Sequence, residues 1–208
     1  MKLLARPLWL AIALFAGLLG LALAINSGWS AGVDTAVAEW FDAHRTARRD
    51  REAGGVFGYI GRPTHVLVAS VLIGGVLSAR ARSPLPLLCV TGGVGIGAVV
   101  EAGLKAVVGR TATTGPLLHY QHSYPSGHVT GTTALLGLTA VCLAAGHGRG
   151  IRWALAAVVT AGVLAVAYLA LYTGAHTLTD VIGGMLLGGS VVAAGAAVLS
   201  GATRARGA

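Results

Sequence analysis

Residues Trp153 to Gly174 read WALAAVVTAGVLAVAYLALYTG, a run without one charged side chain. About 20 mainly apolar residues in a helix cover roughly 30 Å of hydrocarbon, so this stretch is long enough to cross a bilayer. Outward from it, comparable windows occupy Pro7 to Ile25, Pro63 to Ala79, Pro84 to Leu104, Val129 to Gly146 and Val181 to Thr203. The only Asp, Glu, Lys or Arg inside any of these windows is Glu101, near the end of the third. Helices are expected, because lipid offers no partner to an unpaired backbone N–H or C=O. The sequence therefore predicts an all-α integral membrane bundle of six transmembrane helices, one membrane domain over residues 1–208.

Composition points the same way. The chain is 55% hydrophobic and 11% charged, against roughly 45–50% apolar and about 25% charged residues in a soluble domain. A sequence this apolar buries its surface, which excludes disorder as well as a water-soluble globule. The net charge of +8 does not read as a nucleic-acid footprint, because the basic residues lie between apolar runs rather than on one face among aromatics. Cys89 and Cys142 fall inside the runs and read as small buried hydrophobes rather than a disulfide or metal pair.

Cytoplasmic loops carry the excess of Lys and Arg. With the N-terminus inside, the inner segments hold Lys2, Arg6, Arg80, Arg82, Arg149, Arg152, Arg204 and Arg206, and no acid. The outer segments hold Arg45, Arg48, Arg49, Arg51, Arg62, Lys105 and Arg110, offset by Asp34, Glu39, Asp42, Asp50 and Glu52. Both termini are thus expected in the cytoplasm. Met1 to Arg6, the apolar run and Ala22-Leu23-Ala24 also fit a secretory signal, but the run is longer than a usual signal core and is taken as a span. In the first outer loop, Val33, Val37, Trp40, Phe41 and His44 recur at helical spacing, which predicts an interfacial helix on the bilayer. The arginines from Arg45 to Arg51 are interrupted by Asp50 and followed by Glu52, the pattern of a solvated, self-neutralising face.

The remaining polar residues gather at the outer surface. Lys105 and Arg110 follow the third helix; His119, His122, Ser126 and His128 precede the fourth; His176 and Asp180 lie between the last two. Three loops thus bring cations, imidazoles and a carboxylate to one face, as a site for an anionic head group requires. Lys is otherwise found only at position 2, so composition gives no reason for Lys105. Pro125-Ser126-Gly127-His128 suits a helix start: Ser126 can cap the first turn, Gly127 lets a ligand approach the backbone, and the N-terminal N–H groups attract an anion. His176 and Asp180 are four apart and share a face if helical, so Asp180 can orient the imidazole. Thr177 to Asp180 also reads as a capping box for the last helix. No Cys or carboxylate completes a metal set around His119, His122 and His128. Glu101, four residues before Lys105, pairs most simply with it.

These residues resemble the type 2 phosphatidic acid phosphatases, or lipid phosphate phosphatases, whose motifs read roughly KxxxxxxRP, PSGH and SRxxxxxHxxxD within a six-helix bundle. The resemblance runs from about Pro63 to Leu199 and is strongest at Pro125-Ser126-Gly127-His128, then at His176 with Asp180. It implies that His176 is the nucleophile, that Asp180 orients it, and that His128 protonates the leaving group. It further implies that Lys105 holds the phosphate; Ser126 and Gly127 at the helix start are the other expected substrate-binding residues, and no metal or other cofactor is expected.

The chain departs from the family at the arginines. The Arg-Pro of the first motif falls on Ala112 and Thr113, with Arg110 two residues early; the Ser-Arg of the third falls on Leu169 and Ala170. Arg110 is the expected partial replacement as a substrate-binding residue. The expected function is a phosphatase acting on a lipid phosphate or isoprenyl pyrophosphate at the outer face through a phosphohistidine. The alternative is a non-catalytic lipid-phosphate binder or transporter of the same fold. The expected partners are membrane lipids, and the Arg, Ala and Gly bias suggests a bacterial inner membrane.

Overall fold

The computed structural model describes residues 2–109 and 117–205, which form eight α helices. These are α1 (Lys2–Asn26), α2 (Ala31–His44), α3 (Ala47–Tyr59), α4 (Pro63–Ala81), α5 (Leu85–Val107), α6 (Gly127–Ala144), α7 (Arg149–Tyr172) and α8 (Leu178–Ala205). Six of them are long and apolar enough to cross a membrane: Arg6–Asn26, Pro63–Ala81, Leu85–Val107, Gly127–Ala144, Arg149–Tyr172 and Leu178–Ala202. The chain is an integral membrane protein. Exposed Trp9 and Trp153 stand near one end of the bundle, and exposed Trp29 and Tyr59 near the other, the two bands that amphipathic rings form at a bilayer's surfaces.

The helices start and stop for local reasons. Pro63 opens α4 at its first turn, where its missing N–H costs nothing. Thr46 caps α3 by accepting from the Arg49 N–H at 3.4 Å. At the start of α8, Asp180 Oδ2 accepts from the Thr177 N–H at 2.9 Å, and Thr177 Oγ1 accepts from the Asp180 N–H at 3.4 Å, the reciprocal capping box its sequence predicts.

The centre of the bundle is α8, packed against α1 and α6, while α4 packs on α5 and α6 on α7. Small residues set the α6–α8 distance. A Cβ on Gly184 would stand 2.7 Å from the Ser126 carbonyl oxygen, and one on Gly188 2.9 Å from the Thr130 carbonyl oxygen. In hydrocarbon, such close backbone approach replaces the hydrophobic driving force that water supplies elsewhere. It also puts the first turns of α6 and α8 side by side, with the Ser126 N–H donating to the Asp180 carbonyl at 2.9 Å.

The helix expected in the first connecting segment is present as α2, and α3 follows it. α2 is fastened to the bundle by Asp34, which is fully buried. Its carboxylate accepts from the Thr179 N–H at 2.9 Å and from the Thr179 hydroxyl at 2.6 Å. Phe41 of α2 packs edge-on against Tyr168 and Tyr172 of α7.

Candidate active site

His128 lies in the first turn of α6, and His176 and Asp180 flank the start of α8. The two imidazoles lie at one end of the bundle and share a neighbour. Phe57 of α3 stacks on His128 with ring centroids 4.2 Å apart and stands edge-on to His176 at 6.5 Å. Phe57 is itself buried, in a cluster with Val129 and Ala170. His176 is not helical, as its spacing from Asp180 suggested; it precedes the cap residue Thr177, and the capping turn folds the carboxylate back toward it. His176 Nδ1 lies 3.6 Å from Asp180 Oδ2, an ion-pair separation longer than a hydrogen bond.

Asp180 is fully buried and joins several segments. Besides the Thr177 N–H, its Oδ2 lies 2.6 Å from the Ser123 hydroxyl, which is equally close to the Tyr120 carbonyl oxygen. Beside it, buried Tyr124 donates to the Leu18 carbonyl of α1 at 2.6 Å. Burial first, and the Asp180 charge second, push the Tyr124 phenol above its ordinary value, so it remains a neutral donor.

Lys105 ends α5 with its Nζ 2.6 Å from Glu101 Oε1, the pairing the sequence suggests. The Glu101 carboxylate presses against Gly127, where a Cβ would collide with it. Lys105 is therefore held beside the N-terminus of α6, whose N–H groups and dipole favour an anion. Ser126 is the N-cap residue by position, but its side chain makes no capping bond, against expectation. Its hydroxyl is buried without a hydrogen-bond partner, as are His128 Nε2 and His176 Nδ1. Buried polar atoms are nearly always satisfied, so unsatisfied ones converging at the ends of two helices mark a place shaped for a polar guest.

Arg110, Ala112 and Thr113 lie outside the described residues. Ala170, in the place of the third motif's arginine, is buried, and its carbonyl accepts the Ala175 and His176 N–H groups at 3.1 and 3.2 Å. His119 and His122 are exposed; His119 lies against Tyr120, and His122 Nδ1 is 3.2 Å from the Lys105 carbonyl oxygen. Among the described residues, no three His, Cys, Asp or Glu side chains gather as metal ligands would.

The sequence matches the PAP2 superfamily over residues 85–204, more than half of the chain. The chain belongs to the PAP2 superfamily. A crystal structure of a PAP2-type phosphatidylglycerolphosphate phosphatase from Bacillus subtilis superposes on it with a TM-score of 0.72. That likeness covers 88% of this chain and 92% of the other at 21% identity, and it shows the fold. No curated protein matches the chain in sequence. The PAP2 match takes in Lys105, His128, His176 and Asp180 but stops short of the first connecting segment.

That segment supplies residues the sequence reading passed over. Besides Phe57 and Asp34, Gly61 lies against His128, and Arg62 joins Lys105 and His176 among the charges acting on the His128 imidazole. Arg45 is half-buried, with its guanidinium against Gly174, 2.9 Å from Asp42 and 3.8 Å from Asp50. The expected self-neutralising face holds for Arg48, which pairs with Glu52 at 3.1 Å. Gly61-Arg62-Pro63, a turn residue and a cation ahead of a helix-opening proline, was the available signal.

Proposed function

We propose that this PAP2 chain is a membrane phosphatase that removes phosphate from a lipid phosphate or isoprenyl pyrophosphate through a phosphohistidine. The carrying observation is the convergence of the His176 imidazole backed by Asp180, the His128 imidazole with its unpartnered Nε2, an unpartnered Ser126 hydroxyl and Lys105 at one end of the bundle. With His176 Nδ1 turned toward Asp180, its Nε2 is the atom free to attack phosphorus. The Nε2–P bond forms as the P–O bond to the lipid breaks, and His128 gives its proton to the departing oxygen. A water then attacks phosphorus while His128 takes its proton back; the P–N bond breaks, releasing inorganic phosphate and restoring His176. One imidazole serves as general acid in the first step and as general base in the second, the proton given in one being recovered in the other.

The phosphoryl transition state spreads charge over its equatorial oxygens, so fixed donors provide most of the stabilisation. Lys105, the Ser126 hydroxyl and the N–H groups opening α6 take that role, and Gly127 leaves room for the anion. At 3.6 Å, the Asp180 carboxylate is placed to orient the His176 ring and to stabilise the positive charge that develops on it as the Nε2–P bond forms. An apolar slot of about 220 Å³ between α4, α5 and α6 supports a lipid substrate, with Glu101 and Gly127 at its polar end and Leu67 and Val94 along its wall. The Lys and Arg distribution supports a site on the external face with both termini cytoplasmic, and the Arg, Ala and Gly bias supports a bacterial inner membrane.

The test is phosphate release by purified protein in detergent from phosphatidic acid, phosphatidylglycerolphosphate and an isoprenyl pyrophosphate. Wild type is expected to release phosphate from at least one, and His176→Ala and His128→Ala to fall to background. Equal release from all three proteins overturns the mechanism; tight binding without turnover in wild type leaves the non-catalytic binder.

A further inference from the structure

The corner between α3 and α4 lies directly against His128. Gly61 has a φ of +75°, and a Cβ there would stand 3.2 Å from His128 Cδ2 and 3.3 Å from the His128 carbonyl oxygen. Only glycine adopts this backbone readily and allows this approach. A hydrogen bond between the His65 ring and the Tyr59 carbonyl oxygen, 2.8 Å long, closes the corner. Pro63 and Thr64, on the other side, line the same slot as Glu101 and Gly127. Arg62 therefore sits between a residue touching the imidazole and residues lining the slot. The following proline restricts its backbone to the extended region, where it is found at φ −53° and ψ 131°.

The charges around the imidazoles give this position its meaning. Lys105 is matched by Glu101, Asp180 adds a buried negative charge, and Ala170 brings none. Lys105 therefore meets a phosphate dianion with its charge already shared with a carboxylate. Within the first connecting segment, Arg45 is engaged with Asp42 and Asp50 and Arg48 with Glu52, while Arg49 and Arg51 lie on α3, away in sequence from the corner that touches His128. Arg62 is exposed, makes no ion pair with any described residue, and its charge reaches His128.

We propose that Arg62 is a substrate-binding residue, its guanidinium gripping non-bridging oxygens of the phosphoryl group, an assignment that rests on reading the site as a lipid phosphatase. A guanidinium presents a planar fork to two phosphate oxygens, which an ammonium does not. The first connecting segment would then furnish a cation that Ala112 and Ala170 do not.

The experiment measures binding of a fluorescent phosphatidic acid to the full chain in detergent, together with its turnover. The proteins compared are wild type, Arg62→Ala, Arg62→Lys, Arg48→Ala and His176→Ala, each checked for an unchanged unfolding midpoint. Arg62→Ala is expected to weaken binding and raise KM roughly tenfold or more, the scale of losing hydrogen bonds to a charged group. Arg62→Lys recovers part of this, and Arg48→Ala behaves as wild type. Binding and KM of Arg62→Ala within about twofold of wild type overturn the assignment, even when His176→Ala is inactive and the phosphatase reading stands. If wild type turns over no faster than His176→Ala, the phosphatase reading fails, and the binding comparison alone decides whether Arg62 holds the anion. Arg62→Ala and Arg48→Ala weakening binding equally reveals only diffuse charge and also overturns it.

Discussion

The two ends of the bundle are built from different chemistry. At the end holding His128 and His176, Asp34, Ser126, Thr179 and Asp180 are buried, and their hydrogen bonds join segments far apart in the chain. At the other end, Arg80, Arg82, Arg149 and Arg152 are exposed, and short turns link α4 to α5 and α6 to α7. The polar bonds there are local: Ser78 Oγ accepts from the Leu87 N–H at 2.8 Å, and His147 meets the Ala145 carbonyl oxygen at 3.2 Å. Burying a polar group costs free energy unless it is satisfied, so long-range polar networks and unsatisfied atoms accumulate where a site is maintained. The other end only has to turn the chain round and stay in water.

Substitutions can break or sharpen this contrast. The largest effect is expected for His176→Ala, which should lower turnover by about 10³-fold or more, the scale of losing an essential nucleophile; phosphate release in detergent measures it, and retained activity would remove the distinction between the ends. Asp180→Asn keeps the side chain's shape but removes its charge, and kcat should fall by roughly 10²- to 10⁴-fold, as when a histidine loses its orienting carboxylate. Gly184→Val places a branched side chain against the Ser126 carbonyl and pushes α8 off α6. It should cost about 1–3 kcal/mol or more, seen as a lower unfolding midpoint with loss of activity. Asp34→Ala strands the Thr179 N–H and hydroxyl, which should destabilise by about 1–3 kcal/mol and impair turnover through the start of α8. Arg152→Ala, at the opposite end, should change stability by less than about 0.5 kcal/mol and leave turnover at the wild-type value.

Much of this arrangement was legible in the residues, and the exceptions share a cause. Apolar windows marked six spans because each helix meets the lipid requirement within itself. The capping box at Thr177 and the Glu101–Lys105 pair were readable because their partners lie within one helical turn. Asp34 was different: nothing near it in sequence tells that it reaches Thr179, 145 residues away. Nothing in the local sequence singles out Phe57, which joins the site only because α3 lays its ring on His128. Ser126 was expected both to cap α6 and to bind the anion, yet it makes no capping bond, and its hydroxyl is unpartnered beside a helix packed too closely to admit any side chain at Gly184.

By itself, the sequence determined that this chain crosses the membrane as a helical bundle and that imidazoles, a lysine and a carboxylate stand at matching helix ends. Desolvating charge and backbone in hydrocarbon is a cost each short window meets alone, so it leaves a local mark. The tertiary structure alone decided which residues surround the imidazoles: Phe57 and Gly61 from the first connecting segment, with Asp34 securing the start of α8. Such neighbours arise from how closely glycine-lined helices pack and from where one segment comes to rest across the bundle's end, and neither distance is carried by any single stretch of chain.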